Sequence, residues 1–284
     1  MNCYLCNSTS FKRRTGSVRD NPKLQILECT DCGLVFLSSL DHIQPGFYEE
    51  SGMHGQTLRP IEDWLKDTEW DDQRRFQMLK SMLVNKKVLD FGCGAGGFLK
   101  RAQKLASEVA GVELEKRVRE YWGAQIKIHP DVESIDIVDG YDLITAFHVV
   151  EHLHEPREML VQLGKMLKSR GRLVIEVPSS DDALITLYDC SPFQSFTYWS
   201  QHLYLFNSET LKKLALQAGL RVVSIQQFQR YPLSNHLYWL SQGKPGGHSK
   251  WSFLDSSELT DAYAASLAAV GRCDTLVAHL ELNS

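Results

Sequence analysis

The stretch Lys87-Val-Leu-Asp-Phe91, followed by Gly92-Cys-Gly-Ala-Gly-Gly97, constrains this chain more than any other. A short run of mostly apolar residues that ends in clustered glycines predicts a buried strand entering a tight turn. The pattern over residues 98–106 predicts the helix that leaves it. Glycines at such a turn let the backbone approach a ligand closely, and the following helix start offers unpaired N–H groups. Val109-Ala-Gly-Val-Glu113 predicts a second strand, ending about 20 residues past the turn in an acid placed for a pair of ribose hydroxyls. Strand, glycine turn, helix and strand together open a doubly wound α/β sheet.

A different texture precedes it. Of seven cysteines, Cys3, Cys6, Cys29 and Cys32 form two C-x2-C pairs separated by 22 residues. An odd cysteine count and an N-terminus without signal-peptide character argue against a disulfide framework. Two tight turns that each present two thiolates supply the four tetrahedral ligands of a structural Zn2+ with no open position. Gly33 suits the turn after the second pair, and residues 23–28 and 34–37 read as short paired strands. Residues 1–40 are therefore expected to form a small zinc-ribbon-like module too short to hold together without metal. Residues 41–84, with Phe47, Tyr48, Trp64 and Trp70 among acids, read as a helical connector or lid, and residues 85–284 as the main domain.

The net charge of −4 and sequence pI near 6.2 disfavour a nucleic-acid partner. The one dense basic cluster, Lys12-Arg13-Arg14, is explained as well by a solvated loop as by a phosphate contact. No apolar run approaches the roughly 20 residues that span a bilayer, so no membrane insertion is expected and the cytoplasm is the expected compartment.

Residues 88–99, Val-Leu-Asp-Phe-Gly-Cys-Gly-Ala-Gly-Gly-Phe-Leu, closely resemble motif I of class I S-adenosylmethionine (SAM) methyltransferases, whose core is V-L-D-x-G-C-G-x-G. An acid inside the strand, two residues before the first glycine, belongs to that pattern and not to the dinucleotide fingerprint. Similarity continues through residues 141–147, 149–156, 171–178 and 201–211, and covers about residues 85–282. The resemblance implies a Rossmann-like, seven-stranded methyltransferase sheet with its last strand antiparallel. It implies SAM as cofactor, with Asp90, Gly92, Cys93, Gly94, Gly96 and Phe98 at the glycine loop. Glu113 and Leu114 fall at the ribose, Asp131 and Val132 beside the adenine, and Phe147 at the end of the fourth strand of the pattern.

The segment Phe147-His-Val-Val-Glu-His-Leu-His-Glu-Pro156 contains H-x-x-E-H, an inverted zinc-protease motif. That motif needs its histidines on an uninterrupted helix, and Pro156 argues instead for a helix that starts there. Residues 148–155 then form the loop leaving a strand at the ligand edge of the sheet, above the methyl donor. A hydroxyl acceptor needs a base with a pKa near neutrality, and His148 leads as that base. His152 and His202 are the further catalytic candidates. His148 takes a proton, helps hold a divalent cation as in relatives with an E-x-x-E-H segment, or props the loop.

Two insertions, residues 179–200 and 231–255, carry many aromatic residues and are expected to build the substrate pocket, with Leu237, Trp239 and Leu240 in the core. A cysteine-rich front module resembles methyltransferases of deoxysugar and surface-glycan pathways. The implied partner is a small molecule, a nucleotide sugar or glycan precursor, methylated on oxygen. An RNA methyltransferase and a non-catalytic SAM-fold scaffold remain as alternatives.

Overall fold

The computed structural model describes residues 1–44, 46–49 and 58–283. Part of the expected connector, residues 45 and 50–57, lies outside the described residues. At the front, β1 (Phe11–Arg13), β2 (Ile26–Cys29) and β3 (Val35–Leu37) form an antiparallel ribbon. Two helices follow, α1 (Ile61–Asp67) and α2 (Glu69–Leu83), and then the alternating region begins. It runs β4 (Lys87–Phe91), α3 (Gly97–Ala102), β5 (Glu108–Val112), α4 (Lys116–Trp122), β6 (Lys127–His129), β7 (Tyr141–Phe147), α5 (Pro156–Lys165) and β8 (Leu167–Pro178). After α6 (Ala183–Thr186) and α7 (Ser191–Thr197) come β9 (Tyr204–Leu205), α8 (Ser208–Gln217) and β10 (Leu220–Phe228). The chain continues through α9 (Leu233–Gln242), α10 (Gly247–Lys250) and α11 (Ser257–Ala269) to β11 (Thr275–Leu282).

Seven strands make the central sheet in the order β10-β11-β8-β7-β4-β5-β6. The β8-β7-β4-β5-β6 pairings are parallel, and β11 runs antiparallel to both neighbours, as expected. Period-two alternation sends Leu89, Ile144, Leu173 and Ile175 to one face, in the cluster that includes Leu160 and Leu163 of α5 and Leu211 and Leu214 of α8. Val88, Leu143 and Val174 go to the other face, with Leu79 and Leu83 of α2 and Phe98 of α3. Burying each such aliphatic side chain contributes about 1.5–3 kcal/mol, so the sandwich of helices on both faces follows from the apolar strands.

Helix boundaries follow their capping chemistry. Pro156 occupies the first turn of α5, where its missing N–H is not needed. Asn207 and Thr210 form a reciprocal capping box on α8, which ends before Gly219 at φ +75°.

Two expectations are corrected, and one strand is new. Lys12-Arg13-Arg14 is not a solvated loop. Phe11–Arg13 is a strand, Lys12 and Arg14 pair with Glu28 at 2.9 and 3.3 Å, and Arg14 also donates to the Ser180 carbonyl at 2.9 Å. Leu237 and Leu240 are exposed, because α9 turns Asn235, His236 and Trp239 inward instead. The short β9, which the sequence did not announce, pairs with β3 and makes the ribbon a four-stranded sheet.

Candidate active site

The four paired cysteines converge. Their Sγ atoms all lie within 4.8 Å of one another, with Cys3–Cys32 at 3.5 Å and Cys6–Cys29 at 3.4 Å. Cys3 and Cys29 are buried, and Gly33 sits at φ +80° with its N–H donated to the Cys29 carbonyl. Burial raises the Cys29 thiol, but hydrogen bonds from the Cys32 and Asp31 backbone outweigh it and bring the thiol down to about 7. Four close sulfurs, one held toward thiolate, fit a zinc ion.

The main cavity, about 510 Å³, opens at the carboxyl ends of β4, β5 and β7. Such a volume falls within the range of small-molecule sites. It is lined by Asp90, Gly92, Cys93, Gly94 and Phe98 of the glycine turn, by Glu113 and Leu114 after β5, by Asp131 and Val132 after β6, and by Phe147. Gly92 has φ +68°, and a Cβ there would lie 2.4 Å from Val149 of the histidine loop. Only glycine satisfies both conditions. Gly96 does not line the cavity. It precedes α3 at φ +81° and packs on Trp122, whose Nε1 would meet an added Cβ at 2.5 Å.

Acids dominate this half. Asp90 is 3% exposed and accepts from Thr145 Oγ1 at 2.6 Å, and burial pushes it up to about 7. Glu113 accepts from the Gly94 and Glu115 N–H groups at 2.9 and 3.0 Å, and burial raises it as well. Asp72, also raised by burial, is held by Thr68 Oγ1 at 2.8 Å. Backbone and hydroxyl donors hold these carboxylates without a basic side chain in direct contact among the described residues. The cavity therefore favours a cationic ligand.

The opposite wall is a network that only the fold assembles. Glu176, fully buried in β8, pairs with Arg74 at 2.8 Å and Arg75 at 2.7 Å, both from α2. It also accepts from His148, whose Nε2 is 3.2 Å away, while His148 Nδ1 is 3.1 Å from Glu151 Oε1. Arg230, just past β10, pairs with Asp71 of α2 and lies 3.5 Å from His148 Nε2. Although burial favours the neutral imidazole, the two carboxylates outweigh it and raise the His148 pKa. His148, at φ +55°, has a carboxylate within hydrogen-bond distance of each ring nitrogen.

His152 lines the cavity, with Nδ1 3.5 Å from the Tyr48 hydroxyl. Burial lowers its pKa. His202 stands behind it, ring centroids 4.9 Å apart, outside the cavity lining, and burial pushes it down to about 3.

Sequence reasoning missed Asp71, Asp72, Arg75 and Arg230 on the cavity wall, and Glu176 behind it. Glu176 carried a signal, a lone charge in the apolar run Leu173-Val-Ile-Glu-Val177. None of residues 179–200 or 231–255 lines the cavity, and the aromatic residues of those insertions instead pack on one another, as Phe193 does on Trp239 at 5.3 Å.

The sheet order and the glycine-loop cavity define a class I methyltransferase fold. Residues 63–225 match the family described as methyltransferase domain, and the chain belongs to that family. It is similar, at 25% identity over 167 residues, to the mitochondrial ubiquinone biosynthesis O-methyltransferase of Schizosaccharomyces pombe, a match covering 48% of this chain and 61% of that protein. It is 29% identical over 142 residues to a tRNA U34 carboxymethyltransferase of a Shewanella species, covering 46% of this chain and 40% of that protein. The chain thus spans under two thirds of the length of these relatives. Among solved structures it resembles the N-methyltransferase NodS of Bradyrhizobium japonicum in complex with S-adenosyl-L-homocysteine, with TM-score 0.50, 16% identity, and 84% and 100% of the two chains covered. A SAM-dependent methyltransferase of Archaeoglobus fulgidus matches with TM-score 0.50, 19% identity and coverage of 75% and 93%.

Proposed function

We propose that this protein is a SAM-dependent methyltransferase that methylates an oxygen of a small molecule, of the nucleotide-sugar or glycan-precursor kind. The observation that carries the reading is the set of carboxylates, buried Asp90 and Asp72 and half-buried Glu113, around a glycine turn in a cavity sized for a small ligand. Bound SAM supplies an electrophilic methyl carbon, whose bond to the sulfonium sulfur breaks as its bond to the acceptor oxygen forms. Asp90 and Glu113 balance the positive charge of such a ligand, and the left-handed Gly92 lets the chain pass close beside it. His148 fixes the loop through Glu151 and Glu176. His152 and Tyr48 are the polar groups that meet an acceptor hydroxyl on the far wall.

Support for an oxygen acceptor comes from the similarity to an O-methyltransferase. Methylation of RNA is the second reading, favoured by the similarity to a tRNA-modifying enzyme. The acidic balance of the chain weighs against it. The full chain is to be incubated with labelled SAM and separate panels of nucleotide sugars, glycan precursors and total RNA, with products read by mass spectrometry. Label in a small molecule is expected. Label in RNA with steeply salt-dependent binding reverses the order of the two readings, and no SAM binding in calorimetry leaves a scaffold.

A further inference from the structure

Behind the cavity wall, three side chains from two separate segments converge. One carboxylate oxygen of Glu151, one ring nitrogen of His152 and one of His202 all lie within 4.8 Å of one another. Two buried atoms there have no hydrogen-bond partner, Glu151 Oε2 and His202 Nδ1. A buried carboxylate oxygen and a buried imidazole nitrogen are both costly to leave unpartnered, so the cluster is incomplete as it stands.

We propose that Glu151, His152 and His202 bind a divalent first-row transition-metal ion, distinct from the zinc of the four cysteines. Two imidazoles and a carboxylate are a set that such ions take, with further positions left for water or another oxygen ligand. Bonds of about 2.0–2.2 Å require ligand atoms about 3–3.5 Å apart, so modest side-chain rotations close the present spacing. His148 stays outside the set, because Glu151 and Glu176 already occupy its two nitrogens. That bond gives the ligating carboxylate a supporting partner, as metal-binding carboxylates require.

The frame is rigid on both sides. The Leu203 N–H, next to His202, donates to the Glu151 carbonyl at 2.8 Å. His152 Nε2 is 3.9 Å from Glu151 Oε1, while Nδ1 faces Tyr48. An ion held on the Glu151 side of His152 therefore lies one imidazole away from the cavity, and its charge favours an ionised acceptor oxygen near that wall.

The inference does not depend on methyl transfer, so its test reads the metal. The metal-free full chain is titrated with Co2+ under reducing conditions, followed by absorption and by calorimetry. One equivalent with a thiolate-to-cobalt charge-transfer band reports the cysteines. A further equivalent without that band is expected, and it should be lost in His202→Ala and in Glu151→Gln while the thiolate band persists. The persisting band shows that the ribbon remains folded in the variants. The absence of the band-free equivalent in the native chain, or its survival in both variants, overturns the proposal. SAM binding measured in the same samples keeps this outcome separate from that of the proposed function.

Discussion

The two walls of the cavity are built in opposite ways. The donor wall comes from consecutive residues, a strand, a glycine turn and the acid closing the next strand, and its carboxylates are held by backbone and hydroxyl donors. The histidine wall joins α2, β8, the loop after β7 and the end of β10, and its charges pair mainly with one another. The first is built to receive charge from a ligand, whereas the second pairs most of its charges internally and leaves Glu151 Oε2 over. Removing a group should therefore cost stability on one wall and affinity on the other.

The largest effect tests the self-contained wall. Glu176→Ala leaves Arg74, Arg75 and His148 as buried cations without their shared carboxylate and should cost about 3–5 kcal/mol in a urea denaturation. A loss near zero would mean that the network does not organise the wall. On the donor side, Gly92→Ala combines a strained φ with a 2.4 Å clash against Val149. It should weaken SAM binding by about 1–3 kcal/mol in calorimetry, through displacement of the histidine loop. Unchanged affinity would show that the two walls move independently.

The smallest effect is electrostatic. Asp90 in the empty cavity is pushed up to about 7 by burial. A cationic ligand favours the ionised carboxylate, so SAM affinity should rise as pH climbs through 7 and level off above it, by at most about tenfold per pH unit. For folding alone the sign reverses, because a raised carboxyl pKa means that the folded state holds its proton longer and loses stability as pH rises toward that value. Asp90→Asn should flatten the pH dependence of binding, and affinity independent of pH between 6 and 8 would place the cationic end of the ligand elsewhere.

Legibility in the sequence followed the same division. Asp90, Gly92 and Glu113 lie within one strand–turn–helix–strand unit, where local pattern and chemistry coincide, and the structure brings them to one cavity. Cys3, Cys6, Cys29 and Cys32 were legible for a similar reason, since spacing within each pair fixes a turn. Arg75 and Arg230 carried no such mark, because their neighbours in space are far away in the chain. His148 was legible as a candidate, but its contact with Glu176 was not, since the two meet only through the β7–β8 register. Leu237 and Leu240 were misread because hydrophobicity alone does not say which face of α9 turns inward.

The pairing of β3 with β9 has a consequence for how the protein is made. The ribbon's outer strand waits for a partner that the ribosome delivers roughly 170 residues later, on the order of 10–30 s at ordinary synthesis rates. During that interval Val35 and Phe36 present an open edge, and an early-bound metal is what would keep the nascent ribbon in one shape. When β9 arrives, the Leu37 N–H bonds to the Leu203 carbonyl, and the Leu203 N–H bonds to that of Glu151. The ribbon is thereby stitched to the histidine loop.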